Sequence, residues 1–168
     1  MTLAPLADMP LALHLHLWPA LLALGLGPVA LYRRRCDAWH KAAGYAWVAV
    51  MALVAGSAFW LQAGVLPVAF GFGPIHLLSL VVLHGLWRGV AAARAGDVVA
   101  HRGWMRGLYW QALILAGILT LLPGRTLNAV LFPGHPWAGV LAIAAVAAGL
   151  ALRGWRGRRG GPGRRAAG

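Results

Sequence analysis

The chain has 168 residues, 61% of them hydrophobic and 11% charged, and a formal net charge of +12. That size and apolarity imply one membrane domain and exclude an additional soluble globular domain. With Asp8, Asp37 and Asp97 as its acids and no nucleophile–base motif, the chain is not expected to be an independent hydrolytic enzyme, and its single cysteine (Cys36) excludes an intrachain disulfide and a cysteine-built zinc cluster.

Met1–Pro10 has no basic n-region, so the apolar run that follows is expected to be an uncleaved first helix and not a signal peptide. Five apolar stretches then approach the ~20 residues a helix needs to cross a bilayer. They are Leu11–Leu31, Tyr45–Leu66, Ile75–Ala93, Trp104–Leu122 and Trp137–Leu152. Asp37 is placed to cap the second helix and Asp97 the helix leading into the fourth span, with Gly96 as the stop of the third. Pro74 suits the first turn of the third helix, after an outer turn at Gly71-Phe-Gly. Gly85 and Gly89 form a small-xxx-small pair suited to close helix packing. Pro123-Gly124 stops the fourth span, and the Gly/Arg tail of residues 153–168 is expected to be disordered.

Basic residues fill alternate gaps. Arg33, Arg34, Arg35 and Lys41 occupy one, Arg94 and Arg102 the next with Arg106 just inside the following span, and the tail carries six arginines. The gap Pro67–Pro74 has no cation and Pro123–Pro136 has only Arg125. Lys/Arg-rich short loops stay in the cytoplasm, which puts the N-terminus outside and the C-terminus inside. The fold class expected is therefore an all-α bundle of five transmembrane helices in a bacterial cytoplasmic (inner) membrane. The cations at the inner face suit anionic lipid headgroups. Nucleic acid is not expected, because no recognition module accompanies the charge.

Seven histidines are the main chemical asset. His14, His16 and His76 lie toward the outer side, whereas His40 and His101 lie at the inner rim. His84 lies near mid-membrane and His135 in an outer loop. His14 and His16 are about 200° apart on a helix, so at most one of them faces a given partner. A b-type haem needs two imidazoles from facing helices and cations near its propionates. The outer set offers His16 (or His14) and His76, with Arg125 as the propionate partner. The inner set offers His40 and His101, with Lys41, Arg102 and Arg106 around them. The plainer readings are that His40 and His101 serve the nearby Asp caps, that His14 and His135 are interfacial, and that the tryptophans form membrane-interface belts. Arg125 equally suits a headgroup.

Three blocks resemble a known family. The first is His40-Lys-Ala-Ala-Gly44 with Trp47, Met51 and Gly56-Ser57. The second is Gly73-Pro-Ile-His76-Leu-Leu-Ser79. The third comprises Gly96-Asp97, His101-Arg-Gly-Trp-Met105, Tyr109, Ala116-Gly117, Thr120 and Leu121-Leu-Pro-Gly-Arg125. Together they resemble the bacterial integral membrane family catalogued as domain of unknown function 2306. That resemblance implies a multi-span helical protein whose motif residues map onto His40, His76, His101 and Arg125. Lys41, in place of an arginine, and the fifth span depart from it. The resemblance implies no reaction. The haem b expectation, with a quinone or other redox partner, comes from histidine placement alone. A histidine-dependent transporter, a membrane-assembly factor and a structural subunit are the alternatives.

Overall fold

A computed structural model describes residues 9–33, 35–61 and 73–159. Among these residues every regular element is helical. In chain order they are α1 (Leu11–Tyr32), α2 (Ala38–Ser57, extended by a 3-10 turn over Ala58–Trp60), α3 (Pro74–Arg94), α4 (Val98–Gly107), a π-helical segment (Leu108–Ile114), α5 (Leu115–Leu119), α6 (Thr126–Leu131) and α7 (Ala138–Arg159). Three helices are long and apolar enough to cross a membrane: Leu11–Tyr32, Ala38–Trp60 and His76–Arg94. The expected turn at Gly71-Phe72 and the tail beyond Arg159 lie outside the described residues.

The chain divides into two compact units, Asp8–Gly117 and the described part of Ile118–Gly168. In the first, α1 packs on α2, α2 on α3, α3 on α4, and α4 with the π segment returns to α1. The four helices thus close a ring in which α1 faces α3, and α2 faces α4, across the diagonal. Trp47, Met51, Leu86, Met105, Leu108 and Tyr109 fill its core. Three glycines allow the approach. A Cβ on Gly27 would strike the Tyr109 ring, one on Gly89 would strike Met105, and one on Gly85 would lie 2.9 Å from Leu108. The Gly85/Gly89 pair therefore does receive α4 and its continuation.

Local chemistry sets the ends. Asp37 accepts from the His40 N–H at 3.0 Å, and Asp97 from the Ala100 N–H at 2.9 Å, so both caps form. Gly96 takes φ +76° between α3 and α4, a conformation that disfavours any Cβ. Inside α1, Pro28 has no N–H to give the Leu24 carbonyl one turn earlier. The Tyr109 hydroxyl donates to that carbonyl at 3.3 Å, and Trp47 Nε1 donates to the adjacent Ala23 carbonyl at 3.0 Å.

The fourth expected span departs from the sequence reading. Helix begins at Val98, changes to π geometry after Gly107 and ends at Leu119. In the π segment Leu108, Tyr109, Ala112 and Leu113 lie on one buried side. Tyr109 is buried. Trp110 stays exposed and donates to the Tyr32 hydroxyl at 3.1 Å.

In the second unit, α6 occupies what the sequence suggested was loop. Asn128, 2% exposed, organises it by donating from Nδ2 to the carbonyls of Leu121 (2.6 Å) and Pro136 (2.9 Å). Helix α7 starts at Ala138 and runs seven residues past the expected boundary at Leu152. Its last turns are rich in arginine, a good helix former whose charge is favourable at a helix C-terminus.

Candidate functional site

The histidines divide between the two ends of the ring in the first unit. At one end, His16 of α1 contacts α2 through Nδ1, 3.0 Å from the Val54 carbonyl and 3.2 Å from Ser57 Oγ. A carbonyl only accepts, so Nδ1 carries the proton and Nε2 is left for another partner. The Ser57 hydroxyl also donates to Val54 at 3.0 Å. His76, 5% exposed, uses both ring nitrogens: Nδ1 accepts from the Gly73 N–H at 3.0 Å, and Nε2 donates to the Leu61 carbonyl at 3.0 Å. Its ring lies 6.0 Å from that of Phe59. Two of the expected ligand residues thus reach the same end of α2, from the diagonal helices α1 and α3. The Val54 carbonyl thus accepts from His16 in addition to the Ala58 N–H.

The opposite end is built differently. His101 of α4 donates from Nδ1 to the Gly89 carbonyl of α3 at 2.9 Å, which again leaves Nε2. His40 stands in the first turn of α2, where Asp37 holds its backbone N–H. Its ring Nδ1 is buried and has no hydrogen-bond partner. The loop before α2 carries an Arg33–Asp37 ion pair, with Arg33 Nε 2.9 Å from the carboxylate. The Arg33 guanidinium, and secondly the His40 N–H, hold the Asp37 carboxyl well below the usual carboxylate range. Lys41, Arg102 and Arg106 are exposed on the first turns of α2 and along α4.

The remaining expected residues lie elsewhere. His14 accepts from Trp18 Nε1 at 3.2 Å along α1. His84 faces outward, not into the protein core, with its ring 5.7 Å from Trp87 and 6.1 Å from Trp104. Arg125 belongs to the second unit. It precedes α6, and its carbonyl accepts from the Ala129 N–H at 3.0 Å. His135 is exposed in the turn before α7. Among the described residues no group of three or more His, Cys, Asp or Glu side chains gathers as a metal site. Sequence reasoning missed Ser57 as the companion of His16. It also missed Trp47 and Tyr109 as donors to α1, although Pro28 announced the carbonyl that Tyr109 takes.

The family model described as predicted membrane protein, domain of unknown function 2306, matches residues 13–152. The match covers most of the chain, which therefore belongs to that family. No curated protein and no solved structure matches it.

Proposed function

We propose that this member of the family is a small redox subunit of its membrane, holding a b-type haem between His40 and His101. The observation that carries the reading is the buried, unpartnered His40 Nδ1 on α2, across the ring diagonal from the helix that bears His101. A buried polar atom without a partner costs about 1–3 kcal/mol, and coordination is one way of relieving that cost. His101 supports it from the other side. Metal-ligating histidines usually donate their second ring N–H to a carbonyl or carboxylate, as His101 does to Gly89. Lys41, Arg102 and Arg106 supply cations for propionates. When bound, such a haem supplies one-electron transfer at a potential set by its axial ligands and burial. The chain's own part is positional: Asp37 fixes the backbone of His40, and the Gly89 carbonyl fixes the tautomer of His101.

His16 and His76 form a second diagonal pair at the other end. His16 has Nε2 left over, but His76 must first give up its bond to Leu61 before it can ligate. Two such sites at opposite ends make an electron path across a bilayer, with quinone as the natural small redox partner. The reading includes five spans in a bacterial cytoplasmic membrane, with the N-terminus outside and His40 and His101 on the cytoplasmic side. A periplasmic phosphatase fused after Leu152 is then inactive, and the reverse pattern refutes the orientation.

The deciding experiment is the visible spectrum of full-length protein purified in detergent after expression with haem supply. A low-spin Soret band is expected. His40→Ala and His101→Ala remove it, whereas His14→Ala and His135→Ala do not. His76, with both nitrogens bonded, favours a second reading in which histidines pin helix ends in a structural subunit. That reading takes over if the wild-type protein carries no haem.

A further inference from the structure

Along the outside of the α3–α4 hairpin runs an open groove of about 580 Å³. Leu78 and Val81 of α3 form one wall. The floor and other wall come from Ala100, Gly103, Trp104 and Gly107, with Gln111 at the far end. From Ala100 to Gln111 the helix advances about 16 Å, close to the half-thickness of a ~30 Å hydrocarbon core. A Cβ at Gly103 would meet nothing within 4 Å, and one at Gly107 only Gln111 Oε1 at 4.0 Å, so the floor is open space. Arg88 stands beside the groove at the level of Trp104. Its guanidinium carbon is 5.9 Å from the centre of the Trp104 ring, which also receives the edge of His84.

We infer that this groove holds one anionic phospholipid, its phosphate on Arg88 and one acyl chain along the Gly103–Gly107 floor. The cation–π contact holds the guanidinium plane against Trp104 and leaves its N–H fork for a bidentate acceptor. Charge complementarity identifies the occupant. Among the described residues the ion pair formed is Arg33–Asp37, and no carboxylate there pairs with Arg88. Arg88 lies about 9 Å along α3 before Arg94, near enough to the helix end for its head to reach headgroup depth while its stem stays in hydrocarbon. The obvious competitor is a second copy of the chain, because Gly103-x-x-x-Gly107 also matches a helix-dimer pattern. A two-fold contact there would bring two Arg88 side chains together in a poorly screened interface with no acid to separate them. The inference does not depend on haem.

The test is native mass spectrometry of the full-length protein titrated with phosphatidylglycerol and with phosphatidylcholine of identical chains. Both lipids carry the phosphate, but the quaternary ammonium of phosphatidylcholine offsets its charge beside Arg88, so wild type should retain phosphatidylglycerol about tenfold more tightly, roughly 1.4 kcal/mol. Arg88→Gln should bring the two lipids level. Gly107→Leu, or Ala100→Leu, should lower retention of both lipids with Arg88 still present. Arg35→Gln, remote from the groove, should match wild type. Far-UV circular dichroism confirms that each variant is folded. Equal retention of the two lipids by wild type overturns the inference. So does an Arg35→Gln loss as large as that of Arg88→Gln. A concentration-dependent dimer that Gly107→Leu abolishes and phosphatidylglycerol does not displace assigns the groove to a second copy instead.

Discussion

The two ends of the helical ring use the same side chain in opposite ways. Where His16 and His76 meet α2, hydrogen bonds tie three helices together, and His76 has no ring nitrogen left. Where His40 and His101 open α2 and α4, one imidazole is anchored through a single nitrogen and the other has a buried nitrogen with no partner. A polar group inside a membrane must be satisfied somewhere. At the first end His76 is satisfied within the chain, whereas His16 keeps its Nε2 as His101 does at the other. At the second, His40 Nδ1 is buried without a partner, and the proposed function rests on that atom.

The largest effects should come from breaking the frame that both ends share. Gly27→Leu and Gly89→Leu drive side chains into Tyr109 and Met105, and overpacking of this kind costs about 1–3 kcal/mol or more. Both variants should fall sharply in melting temperature in detergent, whereas Gly25→Leu, in open space, should not. Next come the histidines. His76→Ala removes two hydrogen bonds and should lower stability by about 2 kcal/mol, more than His40→Ala, which removes none from the His40 ring. Thermal unfolding of apo-protein checks this; a greater loss for His40→Ala would erase the contrast between the ends.

Smaller effects test how single carbonyls and caps are served. Tyr109→Phe should cost about 1 kcal/mol through the Leu24 carbonyl. In a Pro28→Ala background, where α1 can serve that carbonyl itself, the cost should shrink; a double-mutant cycle with no coupling contradicts the assignment. Asp97→Ala should cost about 1 kcal/mol and speed proteolysis between Ala95 and His101. The Arg33–Asp37 pair gives the smallest signal and a signed pH dependence. Because folding lowers the Asp37 pKa, its stabilisation is complete above the ordinary carboxylate value of 3.8 and fades as pH falls toward the lowered native value. Stability measured from pH 7 to 3 should decline more in wild type than in Asp37→Asn.

What the sequence made legible is what local chemistry decides. The caps at Asp37 and Asp97, the left-handed Gly96 and the start of α3 at Pro74 each follow from a few adjacent residues. The spacing of Gly85 and Gly89 likewise announced a close approach. The π segment was not legible. Leu108, Tyr109, Ala112 and Leu113 all pack inward at a spacing that also suits an α-helix, so the apolar pattern does not distinguish the two. Nor could depth along a helix show that His84 faces outward between two indoles, or that His76 finds the Leu61 carbonyl. Asn128 was overlooked because its two acceptors are brought to it by a turn on either side.

The most direct test of the central claim is electron paramagnetic resonance of the purified full-length protein beside His40→Gly, each with and without added imidazole. The account predicts a low-spin bis-imidazole signal in wild type, its loss in His40→Gly and its return when imidazole fills the vacated position. A wild-type protein without haem despite haem supply, or a His40→Gly signal unchanged from wild type, would contradict it.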